Sequence, residues 1–369
     1  MKSMNLNKAV CMRLVLALAA VALAVTMAPG RTVAAGQAEG VLEISLADYV
    51  AAYVANSDEV ATARENAENA ETQWQRAVAE KQARLTIEEL ENTAYTRKLA
   101  LQETVNNVVI KAVQAYVDLD QAMRDLAAKR VALNVAEERL RVTRLRYEAG
   151  LTTRDSVLQQ ENSYISATDA LVKAEINIKQ VKESFCEAAG LEPADTIALT
   201  TDVSSLYTGE VEFARDEVLE AARKASSSYF SAAAAADIAR RKHEALKDPM
   251  IATKNERDQA AKADSDAQAR LSDAEKSLVS SVDNALATLE SLMRSLEMQT
   301  ISAELAAADL EVARIRFDHG EMLQYELDSQ VSSAEQAQFR AVQAKIDLFL
   351  QVLRIVALTG GDAMGLITR

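Results

Sequence analysis

Glycine and proline are scarce in this chain, with 10 Gly and 3 Pro among 369 residues. Folds with many turns need more of both, so long helices are expected. Aromatic residues are only 4% of a chain that is 49% hydrophobic. Alanine is abundant instead, which favours helix and lets helices approach closely. There are two histidines, His243 and His319, apart from each other on polar stretches, and both read as solvated surface residues rather than metal ligands. The sequence has no nucleophile–histidine pairing, no phosphate loop and no metal-ligand spacing, so neither catalysis nor a cofactor is expected. The carboxylate pairs Glu88/Glu89 and Glu137/Glu138 fall on polar helix faces and read as solvated.

Cysteine is almost missing too. Cys11 precedes the one sustained apolar run, where a lipid-bearing cysteine cannot lie, and Cys186 is the other. That run, Leu14 to Ala28, follows Lys2, Lys8 and Arg13 and precedes Val33-Ala34-Ala35. It is short for a bilayer span but fits a secretory signal over residues 1–35, cleaved after Ala35. Export followed by cleavage leaves Cys186 alone and excludes an intrachain disulfide. The formal charge of −14 falls to about −18 when Lys2, Lys8, Arg13 and Arg31 are removed. So acidic a body argues against nucleic acid and against anionic lipid surfaces as partners.

The chain is written twice. Arg146-Tyr147-Glu148-Ala149-Gly150 recurs as Arg316-Phe317-Asp318-His319-Gly320, a shift of 170 (320 − 150). The same shift carries Ala189-Gly190 onto Thr359-Gly360. It also carries Val131, Val135, Leu140, Val142 and Leu145 onto Ile301, Leu305, Leu310, Val312 and Ile315. A period this long is a duplicated helical unit, not a short solenoid repeat. The expected division is 36–205 for the first helical hairpin unit and 206–369 for the second.

Each unit reads as a helix, a break, a very long helix, a tight turn and a last helix. In the first, Ser45 caps a helix to about Arg84, and Thr86 to Glu89 has capping-box spacing for the start of the long helix. Nothing then breaks helix before Gly150, and a further helix runs from Thr152/Thr153 to Gly190. The second unit starts near Ala214, breaks at Asp248-Pro249 as N-cap and N1, turns at Gly320 and ends at Gly360-Gly361. The two breaks lie at different distances from their turn glycines. Residues 194–212 read as a linker with short extended pieces.

The long helix before Gly150 carries two apolar stripes. Leu119, Leu126, Leu133, Leu140 and Tyr147 recur every seven residues, and Ala128, Val131, Val135, Val142 and Leu145 form a second set. At about 103° per residue the two sets lie on opposite sides of the helix. Asp120, Asn134, Arg141 and Glu148 occupy one intervening face, and Asp125, Arg139 and Arg146 the other. The second unit keeps the first stripe as Leu289, Leu296, Ala303, Leu310 and Phe317. A globular surface helix needs only one stripe. Opposite stripes describe a helix with a neighbour on each side and water on the two remaining faces, a staff in a curved wall.

On these residues the chain resembles the TolC-like outer-membrane efflux proteins. The resemblance rests on Leu42 to Tyr49 (LEISLADY), Ala115 to Leu119 (AYVDL), Arg146 to Leu158 (RYEAGLTTRDSVL), Arg316 to Met322 (RFDHGEM) and the closing Leu353 to Gly360 (LRIVALTG). It implies an all-α fold of duplicated long-helix hairpins forming an α-helical barrel, or coiled-coil tunnel. It also implies a homotrimer, fed by an inner-membrane pump through a periplasmic adaptor that docks at the helix-turn tips. The tip residues would be Gly150, Leu151, Gly320 and Met322, the two apolar ones expected to be exposed. The resemblance further places carboxylates just past the tips at the tunnel's narrow end, for which Glu326, Asp328 and Asp155 are the candidates. The alternative role for such acids is compensation of the helix dipole.

One departure matters. The family interrupts each unit with β-strands that close a membrane barrel. Here the corresponding stretches, Lys81–Gln102 and Lys247–Lys276, lack sustained period-two alternation, and the second is highly charged. The barrel is therefore expected to be absent or vestigial, with no membrane span in the exported chain. The expected function is a barrel-less conduit in the periplasm or cell-wall space, with outer-membrane association left open. The alternatives are an exported coiled-coil spacer without transport, and a conventional outer-membrane channel whose strands escape recognition.

Overall fold

The computed structural model describes residues 37–38, 41–194, 196–203 and 213–367. The segment read as a signal and the expected unit boundary at 205/206 lie outside these residues. Ser45 caps the first helix as expected, its Oγ accepting from the Asp48 amide at 3.1 Å. That helix, α1 (Leu46–Asn56), ends sooner than expected because Ser57 is extended and caps α2 (Asp58–Ala79) in turn. The reverse at the end of α2 is made by Lys81 at φ 52, the one non-glycine residue with positive φ among those described. The Gln82 amide reaches back to the Ala77 carbonyl at 3.0 Å, closing the helix end much as a glycine would.

The long helix α3 (Arg84–Glu148) therefore starts before Thr86, which lies inside it and caps nothing. After the Gly150 turn, Thr153 caps α4 (Arg154–Ala189). The second unit runs through α5 (Arg215–Ala225), α6 (Ser227–Ala245), α7 (Lys254–Asp318), α8 (Gln324–Leu358) and the short α9 (Ala363–Ile367). Asp248-Pro249 is not a helix start. Asp248 instead holds a turn, its carbonyl accepting from Ile251 and Ala252. The capping box is Thr253/Glu256, with Thr253 Oγ1 accepting from the Glu256 amide and Glu256 accepting from the Thr253 amide. Both long helices have 65 residues and start and end 170 apart (254 − 84, 318 − 148). The unequal breaks expected from the sequence are thus equal. Each long helix spans roughly 100 Å at 1.5 Å per residue.

The helices form one layer. Toward the glycine turns, α4 packs on α3, α3 on α8 and α8 on α7. Toward the other end, α2 takes the place of α4 and α6 that of α8. The apolar core sits between these halves, where the chain changes partners. There β2 (Val41–Ile44) pairs antiparallel with β1 (Gln37–Ala38) and parallel with β3 (Thr196–Leu199). Tyr49 stacks on Phe185 with centroids 3.8 Å apart. The Tyr116 hydroxyl donates to the Ile44 carbonyl and accepts from the Thr201 amide, at 3.3 and 3.2 Å. Asn106, fully buried on α3, donates to the Gly361 carbonyl at 2.9 Å and so ties the end of the second unit to the first.

Among the described residues there is no other sheet and no closed barrel; Arg84–Gln102 and Lys254–Lys276 continue as helix. No helix among them is long and apolar enough to cross a membrane. Cys186 is buried in the aromatic cluster, and burial pushes its thiol up from its ordinary pKa. Since the thiolate is the reactive form, a maleimide at neutral pH should leave Cys186 unmodified in the native protein and label it in urea. Fast native labelling would contradict this packing.

Candidate functional site: the helix-turn tips and the open edges

The two tips are built alike. Gly150 at φ 74 lets its own amide reach the Tyr147 carbonyl at 2.9 Å and the Leu151 amide reach Arg146 at 2.8 Å. Gly320 at φ 75 does the same toward Phe317 and Arg316, at 2.8 and 2.9 Å. A Cβ at either glycine would meet nothing within 4 Å. These glycines are therefore needed for their backbone conformation and not for space.

Beyond the turns the copies differ. Leu151 is 77% exposed, whereas Met322 is only half-exposed and the next residue, Leu323, is the more open at 42%. Met322 is thus less open than expected, and Leu323 takes the exposed position beside it. Glu326 accepts from the Leu323 amide at 2.9 Å and so caps α8. Asp328 accepts from Gln324 at 2.7 Å. Asp155 is exposed in the first turn of α4. Glu326 and Asp328 thus share one helix, while Asp155 sits on the other hairpin. Their counterparts under the 170 shift are Ser156, Leu158 and Tyr325. Arg139 of α3 lies over the Tyr325 ring, 5.7 Å from its centroid, and joins the two hairpins near the tips. That contact was not legible from the sequence, because Arg139 lay on a face read as solvent.

Glu88, Glu89 and His243, set aside earlier, have partners. Glu88 and Glu89 of α3 pair with Arg241 and Lys242 of α6. The Arg241 guanidinium holds the Glu88 carboxyl below the ordinary carboxylate range. His243 is not a solvated surface residue. It is half-buried, with Nδ1 2.8 Å from Asp264 of α7.

The layer has two open edges toward the tips, α4 and α7. Leu158, Ile165, Val172 and Ile176 line α4, and Met298, Ile301, Leu305, Val312 and Ile315 line α7. All are between 46% and 63% exposed. The opposite stripe of α7 is covered, with Leu289 buried and Leu296, Ala303, Leu310 and Phe317 half-buried. One chain thus satisfies one stripe and leaves the other bare.

This architecture aligns with solved channel structures. CusC, described for its folding and transmembrane channel formation, superposes with a TM-score of 0.64 over 86% of this chain and 92% of that one, at 12% identity. The chain has the TolC-like fold. The outer-membrane channel OprN gives 0.63 at 14% identity, covering 86% of this chain and 90% of the other. CmeC of Campylobacter jejuni gives 0.61 at 13%, covering 86% and 85%. In sequence, the outer membrane efflux protein BepC of Brucella suis biovar 1 (strain 1330) is 28% identical over 112 residues, 30% of this chain. That match spans only 25% of the relative. No family model matches the chain. The resemblance read from the sequence thus holds in fold over 86% of the chain and in sequence over 112 residues.

Proposed function

We propose that this protein is the conduit of an efflux or secretion system in the cell envelope, a TolC-like tunnel without its membrane barrel. The bare apolar edges carry this reading. The exposed stripes of α4 and α7 lie at opposite sides of one layer, so the α7 edge of one copy can cover the α4 edge of the next. A heterologous contact of this kind gives a ring where its rotation closes, and the charged faces between the stripes would then line a wet lumen and a wet exterior. By similarity to the neighbouring channels we assign three copies to the ring. In each copy the units 36–205 and 206–369 serve as two pseudo-equivalent wall segments.

At the ring's tip end, Gly150, Leu151, Gly320 and Met322 form the docking site for a periplasmic adaptor that connects to an inner-membrane pump. Glu326, Asp328 and Asp155 face the narrow end of the tunnel, Glu326 capping its helix as well. The helical course of Arg84–Gln102 and Lys254–Lys276 supports the barrel-less form. A chain of this kind is exported through residues 1–35 and works in the periplasm or cell-wall space, not as an enzyme. Electron microscopy and native mass spectrometry of the exported protein test the proposal. The expected result is a three-fold ring with an open lumen; a stable monomer or a filament would overturn it.

A further inference from the structure

The open edges of the layer run its full length, but their chemistry changes part-way along. Toward the tips, the exposed apolar side chains of the two edges stand at equal distances from their turn glycines. Leu158 and Val312 are each 8 residues away (158 − 150, 320 − 312). Ile165 and Leu305 are each 15 away (165 − 150, 320 − 305), and Val172 and Met298 each 22 (172 − 150, 320 − 298). Two copies side by side at one height therefore bring apolar onto apolar at three successive heptads.

Toward the other end the edges are α2 and the first part of α7, and the apolar stripe is gone. Val78 is the one exposed large apolar residue on α2, and α7 has none before Met293. At about 100° per residue, Ala61, Glu65, Asn69, Thr72, Arg76 and Ala79 lie opposite the buried Val60, Ala70 and Ala77 of α2. On α7, Lys262, Asp266, Ala269, Asp273, Lys276 and Ser280 lie opposite the buried Leu278 and Val282. All twelve are exposed. The two faces carry three acids and three cations, with Glu68 at the margin of the first.

Their heights match as well. Glu59 of α2 pairs with Lys111 of α3 at 2.7 Å, and Lys111 corresponds to Ser281 of α7 (111 + 170). α2 and α7 run in opposite directions, so Glu65 stands level with Glu275 (281 − 6), next to the outward Lys276. Thr72 stands level with Gln268 (281 − 13), next to Ala269, and Arg76 with Asp264 (281 − 17), two residues from Asp266. Lys276 also has Asp273 of its own helix 3.5 Å away.

We propose that each junction between copies is clamped by its apolar tip half and parts reversibly in its polar half, so that the wall spreads at the end away from the glycine turns. This rests on the ring assembly proposed for the chain. The occupant of the polar edge is a second copy, because that edge continues along the same α7 whose other half is bare, and because the charges facing it at each height are complementary. Covered apolar area dominates association. Exposed ion pairs add little and are screened by salt. The tip half therefore holds the ring by itself, and the polar half closes only while its charges attract. Helices of 65 residues pass through both halves, and long helices curve gently without breaking. A conduit built this way widens one mouth while the other stays assembled.

Disulfide trapping in the exported protein tests this, with Cys186 buried and out of reach. Val172→Cys with Met298→Cys places a thiol pair across the tip half, and Thr72→Cys with Ala269→Cys places one across the polar half. Under a mild oxidant the tip pair should link copies at the same rate from about 0.02 M to about 0.5 M salt. The polar-half pair should link copies at low salt and do so about tenfold more slowly at about 0.5 M. Adding Glu65→Leu and Lys276→Leu should make that second rate insensitive to salt, since apolar contact is not screened. Helicity by circular dichroism should be unchanged in every variant. Tip-pair linking combined with a polar-half pair that never links, or links equally fast at both salts, overturns the inference and leaves the ring. A salt effect that survives the leucine pair overturns it too. If neither pair links copies, the ring itself falls and the inference with it.

Discussion

Ile301→Asp combined with Leu305→Asp should convert the assembled protein to monomers while leaving its helices intact. Both side chains lie on the open edge of α7, at 59% and 63% exposure in the isolated chain. Neither touches the cores that hold the chain together. Covering a Leu or Ile side chain fully is worth about 1.5–3 kcal/mol. Each Asp loses that contribution and brings an unpaired carboxylate into an apolar seam, which costs more again. Two such changes weaken each contact by at least about 3 kcal/mol, more than a hundredfold in affinity. A ring repeats the loss at every junction. Analytical ultracentrifugation at micromolar concentration should show the shift, with circular dichroism unchanged. An intact assembly would show that this edge is not the contact. The converse substitution, Ile165→Asp with Val172→Asp on α4, should have the same outcome if α4 is the surface that α7 meets.

That bare edge was legible because it follows from periodicity. A stripe repeating every seven residues fixes which residues share a side of a helix, and the opposite pair of stripes in α3 required neighbours on both sides. The turns at Gly150 and Gly320 were legible for a similar reason, since glycine is the residue that reaches positive φ at little cost. The breaks at the other end were harder. Lys81 adopts φ 52 with no glycine to advertise it, and a well-spaced but unused Thr86/Glu89 pair lay three residues into the helix. Asp248-Pro249 carried a stronger local signal than Thr253, yet Asp248 uses its carbonyl to close a turn and the helix waits for the true capping box. The kinks at Ser57 and Ser226 were missed because serine inside a long polar, alanine-rich run is an ordinary helical residue until tertiary contact selects it as a cap. At Ser226/Ser227 that contact is Glu103 of α3, which accepts from the Ser227 amide at 2.8 Å. Pairings such as Arg139 with Tyr325 and His243 with Asp264 depend on how separate helices are placed, and helical period alone carries no information about them.

Gly150→Val together with Gly320→Val should abolish export while the protein still folds and assembles. The turns require φ 74 and φ 75, a region in which a β-branched residue is a genuine outlier. Each substitution should cost about 1–3 kcal/mol in backbone strain. No overlap is added, because an added Cβ meets nothing within 4 Å at either site. The cores lie tens of ångströms away along helices of 65 residues, so strain at the tips should fray the last turns and leave the middle of the wall untouched. A docking partner that reads the tips would instead meet two disordered ends. Gly150→Asn with Gly320→Asn separates conformation from side-chain bulk, since asparagine enters the left-handed region far more readily than valine. The asparagine pair should keep most export and the valine pair should lose it, with both forming the same ring. Normal export by the valine pair would remove the tips as the docking site. Equal loss in both pairs would mean that the partner packs against the bare glycine surface itself rather than reading the shape of the turn.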